Sequence, residues 1–382
     1  MGPLQGLKVI ELAAIGPVPF CGMLLADLGA DVVRVDRTEP SGLGVPLARK
    51  HDINGRGRRS VAVDLKSQPG RDAVLRLIEG ADVLIEGFRP GVTEKLGLGP
   101  AECHARNPRL VYGRMTGFGQ SGPLADAAGH DLNYIALTGA LHAIGPTGGK
   151  PVPPLNLVGD YGGGALYLAF GVMSALYERQ RSGRGQVVDA AMVDGAASLA
   201  SIFFGLQASG AWSEGRGGNL LDGGAPFYDT YETADERWVS LGALEPKFFA
   251  EFAQRVGLDE RFVRRQYDRQ EWPALREAIA TLFKSRTRDA WCELLEGSDA
   301  CFAPVLDFTE APQHRHARLR AGFVTLDGVT QPAPAPRFDR SRAETPRVAP
   351  RVGQHTREVL AQAGLDAGAI DALLAAGRAV QA

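Results

Sequence analysis

The chain has 382 residues, about two domains' worth at roughly 150 residues per domain. Hydrophobic residues make up 45% and charged residues 23%, which excludes a disordered, collagenous or membrane-spanning chain. A formal net charge of -2 argues against a nucleic-acid partner. Cys21, Cys103, Cys292 and Cys301 show no CxxC spacing; they fit a reduced, cytoplasmic chain better than a disulfide scaffold or a zinc site.

Residues 8–12 read as a short buried strand, 17–28 as a helix ended by Gly29, and 31–36 as the next strand. The pattern continues with a strand at 60–65, a helix at 71–78 and strands at 81–88 and 109–115. Such alternation predicts an α/β fold with a mostly parallel, Rossmann-like sheet and helices on both faces. The first strand-to-helix turn, 12–18, lacks the Gly-x-Gly-x-x-Gly of a dinucleotide site. Asp36 therefore reads as a solvated strand-end residue. No Gly-x-x-x-x-Gly-Lys loop is present, so ATP-driven ligation is not expected.

Further on, helices are predicted at 132–144 and 161–181, a strand at 186–189 and a helix at 190–210. The apolar run 165–176 is too short to span a bilayer. The N-terminal residues lack a signal pattern and the C-terminus lacks a prenylation box, so no membrane partner is expected; it also lacks a Ser-Lys-Leu peroxisomal address. Glu214 to Pro226 is glycine-rich and loop-like. A hairpin at 227–241 and helices at 246–256, 273–283 and 288–296 follow. The proline-rich run 331–337 reads as an extended return, and helices at 356–363 and 366–376 close the chain. The organisation expected is a large α/β domain at 1–210, a glycine-rich linker at 211–224, a small α+β domain at 225–320, and a return segment at 321–382.

Three stretches hold candidate chemistry. Asp160 precedes Gly162, Gly163 and Gly164. Aspartate favours helix N-caps, but glycines cost about 0.8–1 kcal/mol each inside a helix relative to alanine. What they offer is bare backbone that a ligand can approach. His130 and Asp131 open the 132–144 helix, where Asp131 reads equally as a capping residue. Glu245 sits between the hairpin and Pro246, at a position where helix-dipole pairing would also explain it. No histidine cluster suggests a metal.

Together these stretches carry a resemblance. The chain resembles the class III coenzyme A transferase (CaiB/BaiF) superfamily over nearly its full length. The shared signals are Leu4-Gln5-Gly6-Leu7-Lys8-Val9, Leu28-Gly29-Ala30-Asp31, Ile85-Glu86-Gly87-Phe88-Arg89-Pro90-Gly91, Gly117-Phe118-Gly119-Gln120-Ser121-Gly122-Pro123 and Ser182-Gly183-Arg184-Gly185-Gln186. Gly129-His130-Asp131-Leu132-Asn133-Tyr134, Pro226-Phe227-Tyr228-Asp229-Thr230-Tyr231 and Leu244-Glu245-Pro246-Lys247-Phe248 are similar to its α-methylacyl-CoA racemase branch.

The resemblance implies roles. His130 and Asp160 would act on opposite faces of the substrate's C2, with Glu245 orienting His130 and with Asn156 and Tyr228 completing the site. Arg37, Lys66, Arg89 and Lys95 match coenzyme A contacts, and all four lie near the carboxyl ends of predicted strands. The substrate would be a 2-methylacyl-CoA, with no cofactor and no metal required. In family transferases the aspartate at the position of Asp160 is instead a covalent nucleophile. The resemblance also implies an interlocked homodimer, with Glu245 supplied to His130 and Asp160 by the partner chain. The amides of Gly162, Gly163 and Gly164 are an expected place for the enolate oxygen.

Overall fold

The computed structural model describes residues 2–40, 42, 44–213 and 215–382. Met1 and Glu214, which fall within the stretches read above as a signal-free N-terminus and a linker, lie outside the described residues.

The first unit comprises Met1–Thr138, Pro154–Ala200 and Ala321–Ala382. Its sheet contains β1 (Lys8–Leu12), β2 (Asp31–Asp36), β3 (Arg59–Val63), β4 (Val83–Glu86), β5 (Val111–Thr116) and β6 (Val187–Ala191), in the spatial order β3-β2-β1-β4-β5-β6. All five pairings are parallel. A two-residue strand, Ala379–Val380, joins the outer edge of β3 in the antiparallel sense.

Every residue of β4 and β5 is buried, as expected of parallel strands covered on both faces. Side chains alternate between those faces. Ile10, Leu12, Val33 and Leu84 pack with Val74 and Ile78 of the helix Gln68–Glu79 and with Ile370 and Leu373 near the C-terminus. Val9, Val32 and Ile85 pack with Val18 and Leu25 of the helix Pro17–Asp27 and with Leu168 and Val172 of the helix Leu166–Ser182. Strand order reverses between β1 and β4, so the crevice beyond their carboxyl ends is the topological switch point.

Several expectations are corrected. The predicted helix at 132–144 is two short helices, Asp131–Ala136 and Ala140–Ala143, separated where Gly139 takes φ +84°. Asp36 is buried rather than solvated; its Oδ2 accepts from the Ser60 hydroxyl at 2.5 Å and from Arg34 Nε at 3.1 Å. The start of the proline-rich run is paired: Val329–Pro332 forms a hairpin with Phe323–Leu326. Asp327 and Gly328 both adopt positive φ there, as a tight two-residue turn requires.

The second unit comprises Gly139–Pro153 and Ser201–Arg320. Residues 139–153 and 201–210, expected in the large domain, therefore cluster with it. Arg216 bonds the carbonyls of His142 and Gly149 at 2.8 and 2.6 Å. The stretch expected as a linker is internally bonded, with the Asp222 carboxylate accepting the amides of Gly217, Asn219 and Gly224. The strands β7 (Tyr228–Glu232), β8 (Trp238–Gly242) and β9 (Phe302–Pro304) form an antiparallel sheet. Helix Pro246–Val256 starts on Pro246 and ends at Gly257, whose φ of +71° suits a left-handed cap. Phe283 is the centre of the aromatic core, with Tyr231, Phe252 and Trp291 at ring distances of 5.4, 5.9 and 5.2 Å.

No helix among the described residues is long and apolar enough to cross a membrane.

Candidate active site

His130 is the exposed N-cap of the helix Asp131–Ala136. Its backbone amide donates to Asn133 Oδ1 at 3.1 Å, which fixes the entry to the helix. The approach to His130 is fixed by Tyr134. The Tyr134 hydroxyl donates to the Gly129 carbonyl, and its ring meets Phe118 edge-on at 5.0 Å. Any Cβ at Gly117 or Gly129 would overlap that ring, which explains both glycines.

Asp160 lies in a different element from the one expected. The helix begins at Leu157, not Tyr161, and runs as a π-helix through Ala165 before continuing as the α-helix Leu166–Ser182. The Tyr161 amide reaches back to the Asn156 carbonyl at 3.3 Å. Asp160 is therefore in the first turn, and Asn156 is the N-cap. Asn156 Nδ2 does not cap the helix but donates to Asp160 Oδ2 at 3.2 Å. π-Helical turns of this kind occur frequently at functional sites. Tyr161 anchors the turn, stacking on Phe20 at 4.4 Å and accepting from Asn54 at 3.0 Å.

The glycines after Asp160 do not form an open surface. Gly163 and Gly164 are buried. A Cβ at Gly195 would overlap the Gly163 carbonyl, and one at Gly164 would fall 2.9 Å from Met192 Cγ. These glycines let the π-helix lie directly on the helix Met192–Leu199. Their amides belong to the π-helix itself, so the expectation that they hold an enolate is corrected.

Asp131 joins the two candidate acid–base residues, a role the sequence left as simple capping. It is buried, and its Oδ2 accepts the amides of Gly159 and Asp160, both at 2.7 Å. One aspartate thus ties the residue after His130 to the backbone of Asp160. The Asp160 carboxylate also rests against Gly16 (φ +68°), with Oδ2 3.1 Å from where a Cβ there would be. Gly16 belongs to the turn after β1, and Gly87, after β4, packs on Ala14 and Val18. The pair therefore sits over the switch point of the sheet.

Burial pushes the Asp160 carboxyl above its ordinary value. The Asn156 bond opposes this, the Asp131 charge adds to it, and His130 opposes it. Burial, then the Asp160 charge, also raise the Tyr134 hydroxyl, against the pull of Arg89. Arg89, Tyr134 and Asp160 therefore share one electrostatic neighbourhood. Arg37, Lys66, Arg89 and Lys95 are exposed at or just beyond the carboxyl ends of β2, β3 and β4. Among the described residues, none of the four side chains makes a salt bridge.

Two predicted residues lie in the second unit. Tyr228 begins β7, opposite Gly242. It lines an open cavity of about 690 Å³ with Ser240, Gly242, Cys301 and Phe302. Glu245 is exposed at the N-cap of Pro246–Val256, but its side chain makes no capping bond, so its carboxylate is not used up by the helix. Cys301 lies near it: burial first, then the Glu245 charge, raise its thiol.

Fold and site together define an α/β protein with a histidine and an aspartate held over the switch point of a parallel sheet. Residues 4–356 match the model of CoA-transferase family III, and the chain belongs to that family. It is 47% identical to "Alpha-methylacyl-CoA racemase" of Mus musculus over 364 residues, covering 94% of this chain and 93% of the relative. It is 43% identical to the protein of the same name from Homo sapiens over 369 residues, with the same coverage. Among solved structures it is similar to a CAIB/BAIF family protein from Brucella suis, with a TM-score of 0.78 and 28% identity over 95% of this chain and 99% of that one.

Proposed function

We propose that the protein is an α-methylacyl-CoA racemase that interconverts (2R)- and (2S)-2-methylacyl-CoA thioesters. The observation that carries this reading is the bridge made by Asp131, which ties His130 to Asp160 at the switch point. Inversion beside a thioester needs two groups, one to remove the C2 proton and one to return a proton to the opposite face. One group takes the proton; the C–H electron pair moves into the thioester and forms an enolate. The second group then protonates C2 from the other side, and the thioester carbonyl is restored. An imidazole with an unperturbed pKa near 6.5 can serve in either state at neutral pH. Burial and the Asp131 charge make the acid form of Asp160 more accessible, which lets it do the same.

Arg37, Lys66, Arg89 and Lys95 are the coenzyme contacts in this reading, and Glu245 of the partner chain orients His130. No cofactor is required beyond the coenzyme A carried by the substrate. The working form is a homodimer. Leu166, Phe170, Met173 and Tyr177 form an exposed apolar stripe at helical spacing, with Phe170 73% exposed. Sedimentation at micromolar concentration should show a dimer, and an active monomer would refute this part. Four unpaired cysteines fit a reducing compartment, and the cytoplasm is the proposed location.

The test is incubation with (2R)-2-methylacyl-CoA in deuterium oxide without an acceptor acid. Deuterium should enter C2 as the centre inverts. Absence of exchange, together with transfer of coenzyme A to an added carboxylic acid and trapping of Asp160 by hydroxylamine, would establish a transferase instead.

A further inference from the structure

The segment 87–95, which carries Arg89 and Lys95, is fastened at both ends to one buried guanidinium. Glu86, the last residue of β4, is 0% exposed. Its Oε2 accepts the Phe88 amide at 2.6 Å, and its Oε1 accepts Arg114 Nε at 3.0 Å. Arg114 projects from β5 and is itself buried. Its two terminal nitrogens reach Glu94 Oε1 and Oε2 at 2.8 and 3.2 Å, and the buried Thr93 hydroxyl at 3.4 Å. Glu94 lies in the short helix Val92–Lys95, between Thr93 and Lys95. A forked, planar cation can hold two carboxylates in fixed directions in a way that a lysine cannot.

We propose that Arg114 is the positioning residue for coenzyme recognition: gripped by Glu86 and Glu94, it sets the turn from which Arg89 and Lys95 meet the nucleotide end of an acyl-CoA, and this grip depends on Glu86 being ionised. The inference rests on the reading of Arg89 and Lys95 as coenzyme contacts. The groups facing Glu86 are the Phe88 amide on its own segment, Arg114 and Tyr112 on β5, and Glu94 on the short helix. Burial raises the Glu86 carboxyl to about 7, against the Phe88 amide and Arg114. As pH falls through that value Glu86 takes up a proton, loses its charge and loosens its hold on Arg114, leaving Glu94 and Thr93 as its remaining partners. Affinity for the thioester should then fall, while the chemistry at C2 is not directly touched.

The experiment measures kcat and KM for a 2-methylacyl-CoA and for the matching acyl-pantetheine, which lacks the nucleotide, from about pH 5.5 to 8.5. Arg114→Lys should raise KM for the CoA thioester about tenfold with kcat within about twofold, and leave acyl-pantetheine unchanged. In the wild type, KM for the CoA thioester should climb as pH drops below about 7. In Glu86→Gln it should be raised at every pH and lack that component. Ionisation of the coenzyme's terminal phosphate, near pH 6, moves both proteins alike, so their difference isolates Glu86. If Arg114→Lys does not fold, Glu94→Gln at the more exposed end of the grip should raise KM about threefold. The proposal is overturned if Arg89→Ala raises KM while the Arg114, Glu86 and Glu94 variants do not. If Arg89→Ala also leaves KM unchanged, the coenzyme reading of the segment is what has failed.

Discussion

Asp131 and Glu86 are both buried carboxylates at the end of a regular element, and both accept backbone amides from a segment that carries candidate site residues. They differ in what balances their charge. Glu86 has a guanidinium at 3.0 Å. Asp131 takes two amides on one oxygen, and among the described residues its other oxygen has no hydrogen-bond partner and no cationic side chain pairs with it. A neutralised carboxylate acts as a clamp and projects little field. An unbalanced one acts as a clamp and also adds charge to its neighbours. The first suits a segment that has only to hold still for a remote phosphate. The second suits a partner of Asp160, because its charge helps keep that carboxyl within reach of protonation.

The comparison can be broken in steps. Asp160→Asn should have the largest effect, since an amide cannot shuttle a proton: inversion should fall at least about a thousandfold, while slow exchange at one face survives through His130. Chiral analysis of the product, alongside deuterium counting, reads both quantities. Equal inversion in mutant and wild type would remove Asp160 from the chemistry. Asp131→Ala comes next. It leaves the Gly159 and Asp160 amides without their acceptor, at about 1–3 kcal/mol for a buried unsatisfied group. Turnover should fall about 10- to 100-fold as Asp160 loses its place, and the melting temperature should fall with it. A drop in stability with unchanged turnover would leave Asp131 a purely structural residue.

Much of this architecture is legible in the sequence. Apolar strands alternating with helices predict the parallel sheet, and Asp160 lies against the turn after its first strand, whereas Tyr228 and Glu245 belong to the second unit. The π-helix is not legible, because nothing local distinguishes i→i−5 from i→i−4 bonding at 157–165. In sequence, Gly162, Gly163 and Gly164 look like room for a ligand. The neighbour they accommodate is a helix about thirty residues away, carrying Gly195 and Ala196, and no local pattern names that neighbour. Asp131 suffers from the same limit: a first-turn aspartate looks like a cap whether it binds its own helix or another. The hairpin at 323–332 is different, since Asp327-Gly328 between apolar residues is a strong turn signal that the prolines overshadowed. Arg114 gave no signal of its own, because an arginine inside a strand becomes meaningful only once Glu86 and Glu94 are seen on either side of it.

Asp131→Asn should give the smallest effect, and it separates the two functions of Asp131. The amide oxygen can still accept from Gly159 and Asp160, so the clamp survives while the charge is lost. Asp131 raises the Asp160 carboxyl. Its removal must therefore lower that carboxyl's pKa, and the sign of the shift in each direction of inversion follows. With the enantiomer for which Asp160 is the base, activity rises as Asp160 loses its proton, so this rise should begin at lower pH. The opposite enantiomer needs the same single proton in the other arrangement, on Asp160 with His130 neutral, so its kcat/KM follows the same pH curve and its rise should also begin at lower pH. Profiles of kcat/KM against pH for each enantiomer should both move downward, by up to about one unit, equivalent to about 1.4 kcal/mol. Burial, the largest influence on Asp160, is untouched by the substitution, which is why the shift stays small. An upward shift, or profiles that do not move, would mean that the charge of Asp131 plays no part in setting Asp160 and that its two amide bonds are its whole contribution.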